Sequence, residues 1–109
     1  MRSKCRTLPA KVRSLADIPE WNYDGSSCYQ ATTDNSEIIM KPVAYFSDPF
    51  RGGDNILVLC ETFKWEDSTC KRLVPSNTNF RATAMEIFSD SKAVAEEPWF
   101  GIEQEFTLL

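Results

Sequence analysis

Glu37-Ile38-Ile39-Met40-Lys41-Pro42-Val43-Ala44-Tyr45-Phe46, then Asp48-Pro49-Phe50-Arg51-Gly52-Gly53-Asp54, then Ile56-Leu57-Val58-Leu59-Cys60, is the stretch whose reading decides the fold. Two runs rich in β-branched and aromatic residues flank a cluster of turn formers, the pattern of two strands joined by a turn. The first strand spans Ser36 to Phe46, and Pro42 interrupts it: proline has no N–H for the ladder, so it marks an edge or a bulge. In the turn, Pro49 presets φ and the Asp48 side chain accepts from nearby backbone amides. The second strand spans Asn55 to Trp65. It reads as the central strand, buried on both faces through Cys60 and alternating from Glu61 to Lys64.

Downstream, Glu66 to Pro75 is a polar excursion, and Ser76, Asn77 or Thr78 can cap a following helix by accepting a free N–H of its first turn. Phe80, Ala84, Ile87 and Phe88 share one face at helical spacing, a stripe expected to be core. Ser89-Asp90-Ser91 is a weak point, Lys92 to Glu97 continues for a turn or two, and Pro98 forces an extended chain. Upstream, Glu20 to Thr33 mixes aromatics with Asn, Asp, Gly and Ser and reads as a long structured loop, with glycine available for positive φ. Pro9 to Pro19 is a connector. Arg2 to Leu8 alternates charged with small residues and reads as a short strand bearing Arg2, Lys4 and Arg6 on one face. The order is β, loop, β, β, α, β, an α+β arrangement with a helix over a small mixed sheet.

The chain of 109 residues supports one modest core, and its apolar and charged fractions are those of an ordinary globular protein. A formal net charge of −4 argues against a general nucleic-acid binder, which carries a clustered basic surface. Cys5, Cys28, Cys60 and Cys70 show no Cys-x-x-Cys spacing and there is no histidine, so zinc has too few ligands. Without a signal peptide or a cysteine-dense scaffold, reduced thiols are the better reading. No apolar run reaches the length of a membrane span, so no membrane partner is expected.

The last stretch, Pro98-Trp99-Phe100-Gly101-Ile102-Glu103-Gln104-Glu105-Phe106, places two carboxylates two residues apart in an apolar, aromatic segment. Read as a strand, it points Glu103 and Glu105 to the same side. Like charges held side by side call for a cation, and oxygen ligands suit Mg²⁺ or Mn²⁺. Taken alone, the pair is better read as the solvated face of an edge strand, where charge discourages strand addition.

The stretch from Pro98 to Leu109 resembles the opening of the catalytic domain of eukaryotic-type glutamine synthetases. Trp21-Asn22-Tyr23-Asp24-Gly25-Ser26-Ser27 is similar to the family's aromatic-Asp-Gly-Ser-Ser loop, and seven residues separate it from Asn35-Ser36-Glu37. Arg2-Ser3-Lys4 with Arg6-Thr7-Leu8, Asp48-Pro49-Phe50-Arg51, and Thr78-Asn79 with Arg81 follow the same family order.

The resemblance implies a β-grasp-like amino-terminal domain over 1–97 and the first strand of the catalytic domain over 98–109. It also implies a parent enzyme that uses ATP to join ammonium to the side-chain carboxylate of glutamate through an acyl phosphate. Within it, Glu103 would be a ligand of the nucleotide-side metal, and in that sense cofactor-binding. Glu105 would be a ligand of the glutamate-side metal, and Asp24 a catalytic residue that attracts ammonium at the active site of a neighbouring subunit. A homo-oligomer of stacked rings, such as a decamer, and a cytoplasmic or plastid location are implied too. This piece alone is expected to be inactive. The alternative is a free-standing, non-catalytic β-grasp module that scaffolds or regulates the synthetase. Asp48 to Arg51 is read as structural, and without histidine Ser26 and Ser27 are read as loop-fixing residues.

Overall fold

A computed structural model describes residues 3–66, 69 and 71–108. Arg2, Cys70 and Leu109, which enter the sequence readings above, lie outside the described residues. The chain divides into two compact units, 1–79 and 80–109.

The first unit is an antiparallel sheet of four strands among the described residues: β1 (Trp21–Asp24), β2 (Glu37–Ser47), β3 (Ile56–Trp65) and β4 (Leu73–Pro75), in the spatial order β1-β2-β3-β4. The β2–β3 hairpin is the expected one. Its register runs from Ile38 opposite Lys64 to Ser47 opposite Ile56 and shifts between Pro42 and Ala44. The proline therefore sits at a bulge of an interior strand, where one unpaired residue absorbs the missing donor. The turn closes through Asp48, which accepts from the amides of Phe50 at 2.9 Å and Arg51 at 3.1 Å and from Arg51 Nη1 at 2.9 Å. Gly52 and Gly53 take the positive φ values, 64° and 58°, that this reversal needs.

Five readings of this unit change. The sheet is antiparallel throughout the described strands, not mixed. Residues 3–8 form no strand; Lys4 and Arg6 instead lie over the Trp21 ring, 3.9 and 4.9 Å from its centroid, and Lys4 Nζ donates to the Asn22 carbonyl at 2.6 Å. The alternation of charges was real, but it serves cation–π stacking and not a ladder. The stretch read as loop from Glu20 opens with β1, and the polar excursion closes with β4; both are too short to show a period of their own. In β3 the early run is not buried on both faces: Leu57 and Leu59 stand exposed on the face they share with Phe46, while Ile56, Val58 and Cys60 turn inward. Burial in this small sheet centres on Ile38, at 0% exposure.

The second unit holds α1 (Phe80–Phe88) and α2 (Ser91–Ala95), broken at Ser89 as expected. Asp90 caps α2 by accepting from the Lys92 amide at 2.9 Å. The stripe of α1 is not core: Phe80 and Ile87 are exposed, and Phe88 packs edge-on against Phe100 with ring centroids 5.7 Å apart. Residues 98–108 carry no regular secondary structure and form no strand, and Trp99, Phe100, Ile102 and Phe106 are exposed. A strand is defined by its ladder, and an apolar, aromatic sequence cannot by itself supply the partner. The expected first strand of a catalytic domain is therefore not formed here. The fold is α+β, a four-stranded antiparallel sheet with two helices.

Candidate functional site

Asp24 is the last residue of β1, opposite Glu37 of β2, and its side chain is exposed. The chain then turns through a short 3₁₀ helix, Ser26–Cys28. Ser26 donates twice to Asp24 Oδ1, from its amide at 2.9 Å and its hydroxyl at 2.6 Å. The Ser26 hydroxyl above all, then its amide and the Ser36 side chain, hold the Asp24 carboxyl below the usual carboxylate range, although partial desolvation works the other way. Ser26 thus fixes the loop, as its chemistry suggested. An anion of lowered proton affinity suits electrostatic attraction of a cation better than removal of its proton.

Gly25 is essential here for a reason sequence does not show. Its φ of −83° is open to any residue, so the expected backbone freedom is not what it supplies. A Cβ at this buried position would run into Ile38 Cγ1, and would stand 3.1 Å from Ile38 Cδ1 and 3.3 Å from Ala31 Cβ. The missing side chain lets the loop close over Ile38. Backbone bonds complete the closure, from Gly25 N to Ser36 O at 2.7 Å and from Gln30 N to Gly25 O at 3.0 Å.

The middle of the loop is tied down separately. Tyr29 adopts a left-handed conformation with φ of 60°, and its carbonyl accepts from Asn77 Nδ2 at 3.0 Å. Gln30 accepts from the Tyr23 hydroxyl and donates from Nε2 to Thr78 Oγ1 at 2.6 Å. An open concavity of about 290 Å³ beside it is lined by Tyr29, Gln30, Asn35, Lys64, Trp65 and Asn77, among others. Sequence reading passed over Gln30, Asn77 and Thr78 as parts of a site, because their partners lie 48 residues away.

Glu103 and Glu105 belong to the second unit and are exposed near its end. Among the described residues, no group of three or more histidine, cysteine, aspartate or glutamate side chains gathers to hold a metal ion. Two carboxylates alone do not fill the octahedral shell of Mg²⁺, so the residues present do not make a metal site by themselves. Asp48, also acidic, is spoken for: only 3% exposed, it is held below the usual carboxylate range by the Arg51 guanidinium and by the Arg51 and Phe50 amides. Its role is structural, as its place in the turn suggested. Cys5, Cys28 and Cys60 are free thiols, and burial pushes Cys60 up.

Comparison with known proteins settles the family. Over all 109 residues the chain is 51% identical to a chloroplastic glutamine synthetase of Daucus carota. It is 53% identical to a chloroplastic/mitochondrial glutamine synthetase of Arabidopsis thaliana and 50% identical to the cytoplasmic glutamine synthetase 2 of Drosophila melanogaster, again over its full length. The chain belongs with the glutamine synthetases, as their amino-terminal region. It spans 24% of the length of the two plant relatives and 27% of the fly one. No protein-family model matches the chain. No helix among the described residues is long and apolar enough to cross a membrane.

Proposed function

We propose that this chain is the amino-terminal part of an enzyme that uses ATP to ligate ammonium to the side-chain carboxylate of glutamate, and that its contribution is the Asp24 loop. The observation that carries the proposal is the match of all 109 residues to about a quarter of the length of glutamine synthetases, joined to a carboxylate that the chain itself holds ionised and exposed at the end of β1. In this reading Asp24 draws ammonium, as a cation, to an active site shared with a neighbouring copy in a ringed homo-oligomer such as a decamer. Glutamate and ATP are the other substrates. Glu103 and Glu105 contribute to nucleotide-side and glutamate-side Mg²⁺ or Mn²⁺ sites whose remaining ligands come from elsewhere in the parent. The β-grasp arrangement of 1–97, a catalytic domain opening at 98, and a cytoplasmic or plastid location belong to the same proposal.

The test is a pair of assays. The full-length parent should form glutamine from glutamate, ammonium and ATP, and residues 1–109 alone should not, since they hold no complete metal set among the described residues. ATP-dependent glutamine formation by 1–109 would overturn the division of labour, and its absence from the parent would overturn the activity. A parent without activity that still associates with an intact synthetase would favour the scaffold or regulator reading.

A further inference from the structure

We propose that Gln30 is a positioning residue for Asp24: its side-chain amide fastens the middle of the 24–36 loop to the turn at 76–79 and so fixes where the Asp24 carboxylate points. The inference deepens the reading of Asp24 as the ammonium-attracting residue and rests on it.

Gln30 is used at both ends. Its carbonyl accepts from the hydroxyl of Tyr23, the residue immediately before Asp24, and its Nε2 donates to Thr78 Oγ1 at 2.6 Å. Thr78 Oγ1 lies 3.4 Å from Ser76 Oγ, which lies 2.6 Å from Thr62 Oγ1 on the interior strand β3. Ser76 is 3% exposed, so this series of polar groups ends in the protein and not in solvent. Aligned hydrogen bonds polarise one another, and the series acts as one fastening from β1 across the loop to β3. Tyr29 shows that the fastening bears load. A tyrosine at φ of 60° persists only where its surroundings over-determine it; its carbonyl is held by Asn77, and the next residue, Gln30, is anchored to Thr78. Among side chains of this length only glutamine offers both an amide carbonyl and an amide N–H₂; methionine offers neither, and glutamate loses the donor.

The experiment has two arms. In the 109-residue chain, the Asp24 carboxyl is titrated by NMR in wild type, Gln30→Met and Thr78→Val. Releasing the loop loosens the grip of Ser26, so the Asp24 midpoint should rise towards the ordinary 3.8 in both variants. Asp48, held by its own turn, should keep its midpoint, which separates loop release from general unfolding. In the full-length parent, Gln30→Met should raise the KM for ammonium about 2- to 12-fold, the span of one hydrogen bond's net worth, with the KM for ATP unchanged. In an Asp24→Asn background the same change should add little, because the residue it positions is already disabled. An Asp24 midpoint that stays put in both variants overturns the positioning role, as does a Gln30→Met loss that adds fully to that of Asp24→Asn. If the midpoint moves but Asp24→Asn leaves ammonium use intact, the positioning role stands and the reading of Asp24 falls.

Discussion

The loop that carries Asp24 and the segment that carries Glu103 and Glu105 both end in exposed carboxylates, yet only the first is organised by its own chain. Asp24 has two hydrogen bonds from Ser26, a loop closed over Ile38 by Gly25, and a fastening through Gln30 that reaches β3. Glu103 and Glu105 sit in a stretch without regular secondary structure, in no ladder and with its aromatic residues exposed. The difference is between a carboxylate pre-organised by its own chain and a pair whose geometry its own chain does not fix among the described residues. A local site of the first kind can be dissected in the 109-residue chain. The second kind requires the parent.

The sharpest way to break this contrast is Glu105→Ala in the full-length parent. If Glu105 is the metal ligand proposed above, turnover should fall about a hundredfold or more with weakened Mg²⁺ dependence. Near-normal activity at saturating Mg²⁺ removes Glu105 from the site. Next in size is Asp24→Asn, which keeps shape but removes charge. It should cost about tenfold to a hundredfold in kcat/KM for ammonium while leaving the KM for ATP little changed. Hydroxylamine, already neutral near pH 7, should suffer less, and equal losses with both nucleophiles would reduce Asp24 to a shaper of its turn.

Gly25→Ala tests pre-organisation as a matter of space. Overpacking against Ile38 should cost about 1–3 kcal/mol in denaturant unfolding of the 109-residue chain. Adding Ile38→Val should recover little of it, because valine keeps the γ-carbon at the point of the clash and gives up only Cδ1, the 3.1 Å contact. A Gly25→Ala chain as stable as wild type would show that the loop does not rely on that contact. The smallest expected effect is at Asp48, whose carboxyl is depressed in the fold by Arg51 and the turn amides. A depressed carboxyl stabilises above its unfolded value and loses that contribution as pH falls through the folded one. The melting temperature of wild type should therefore exceed that of Asp48→Asn by a few degrees near neutrality, and the gap should close below about pH 3.8. A gap independent of pH would assign the effect to packing alone.

Much of the fold was legible because its signals are local. A proline in a β-rich run, a Pro-Phe-Arg-Gly-Gly turn and a 3.6-residue stripe act on their own neighbours, and β2, β3, the bulge, the turn and α1 all appear where those signals stand. The strands β1 and β4 were not legible, since four and three residues carry no period and exist by pairing with β2 and β3. Of the candidate site, the Asp24 turn could be read from Asp-Gly-Ser-Ser, whereas Gln30, Asn77 and Thr78 could not, because hydrogen bonds across 48 residues leave no spacing rule.

The sequence by itself determined the family, through motifs that keep their order along the chain, and it determined those elements whose energetics are settled within a few residues. Tertiary structure alone decided what each ambiguous residue does. Gly25 is needed for the room Ile38 takes up, not for its φ; Lys4 and Arg6 stack on Trp21 instead of edging a strand; and Pro98 to Phe106, apolar and aromatic though it is, joins no ladder among the described residues. In each case the deciding energy comes from a partner surface, and a partner surface is a property of the folded arrangement that no local pattern encodes.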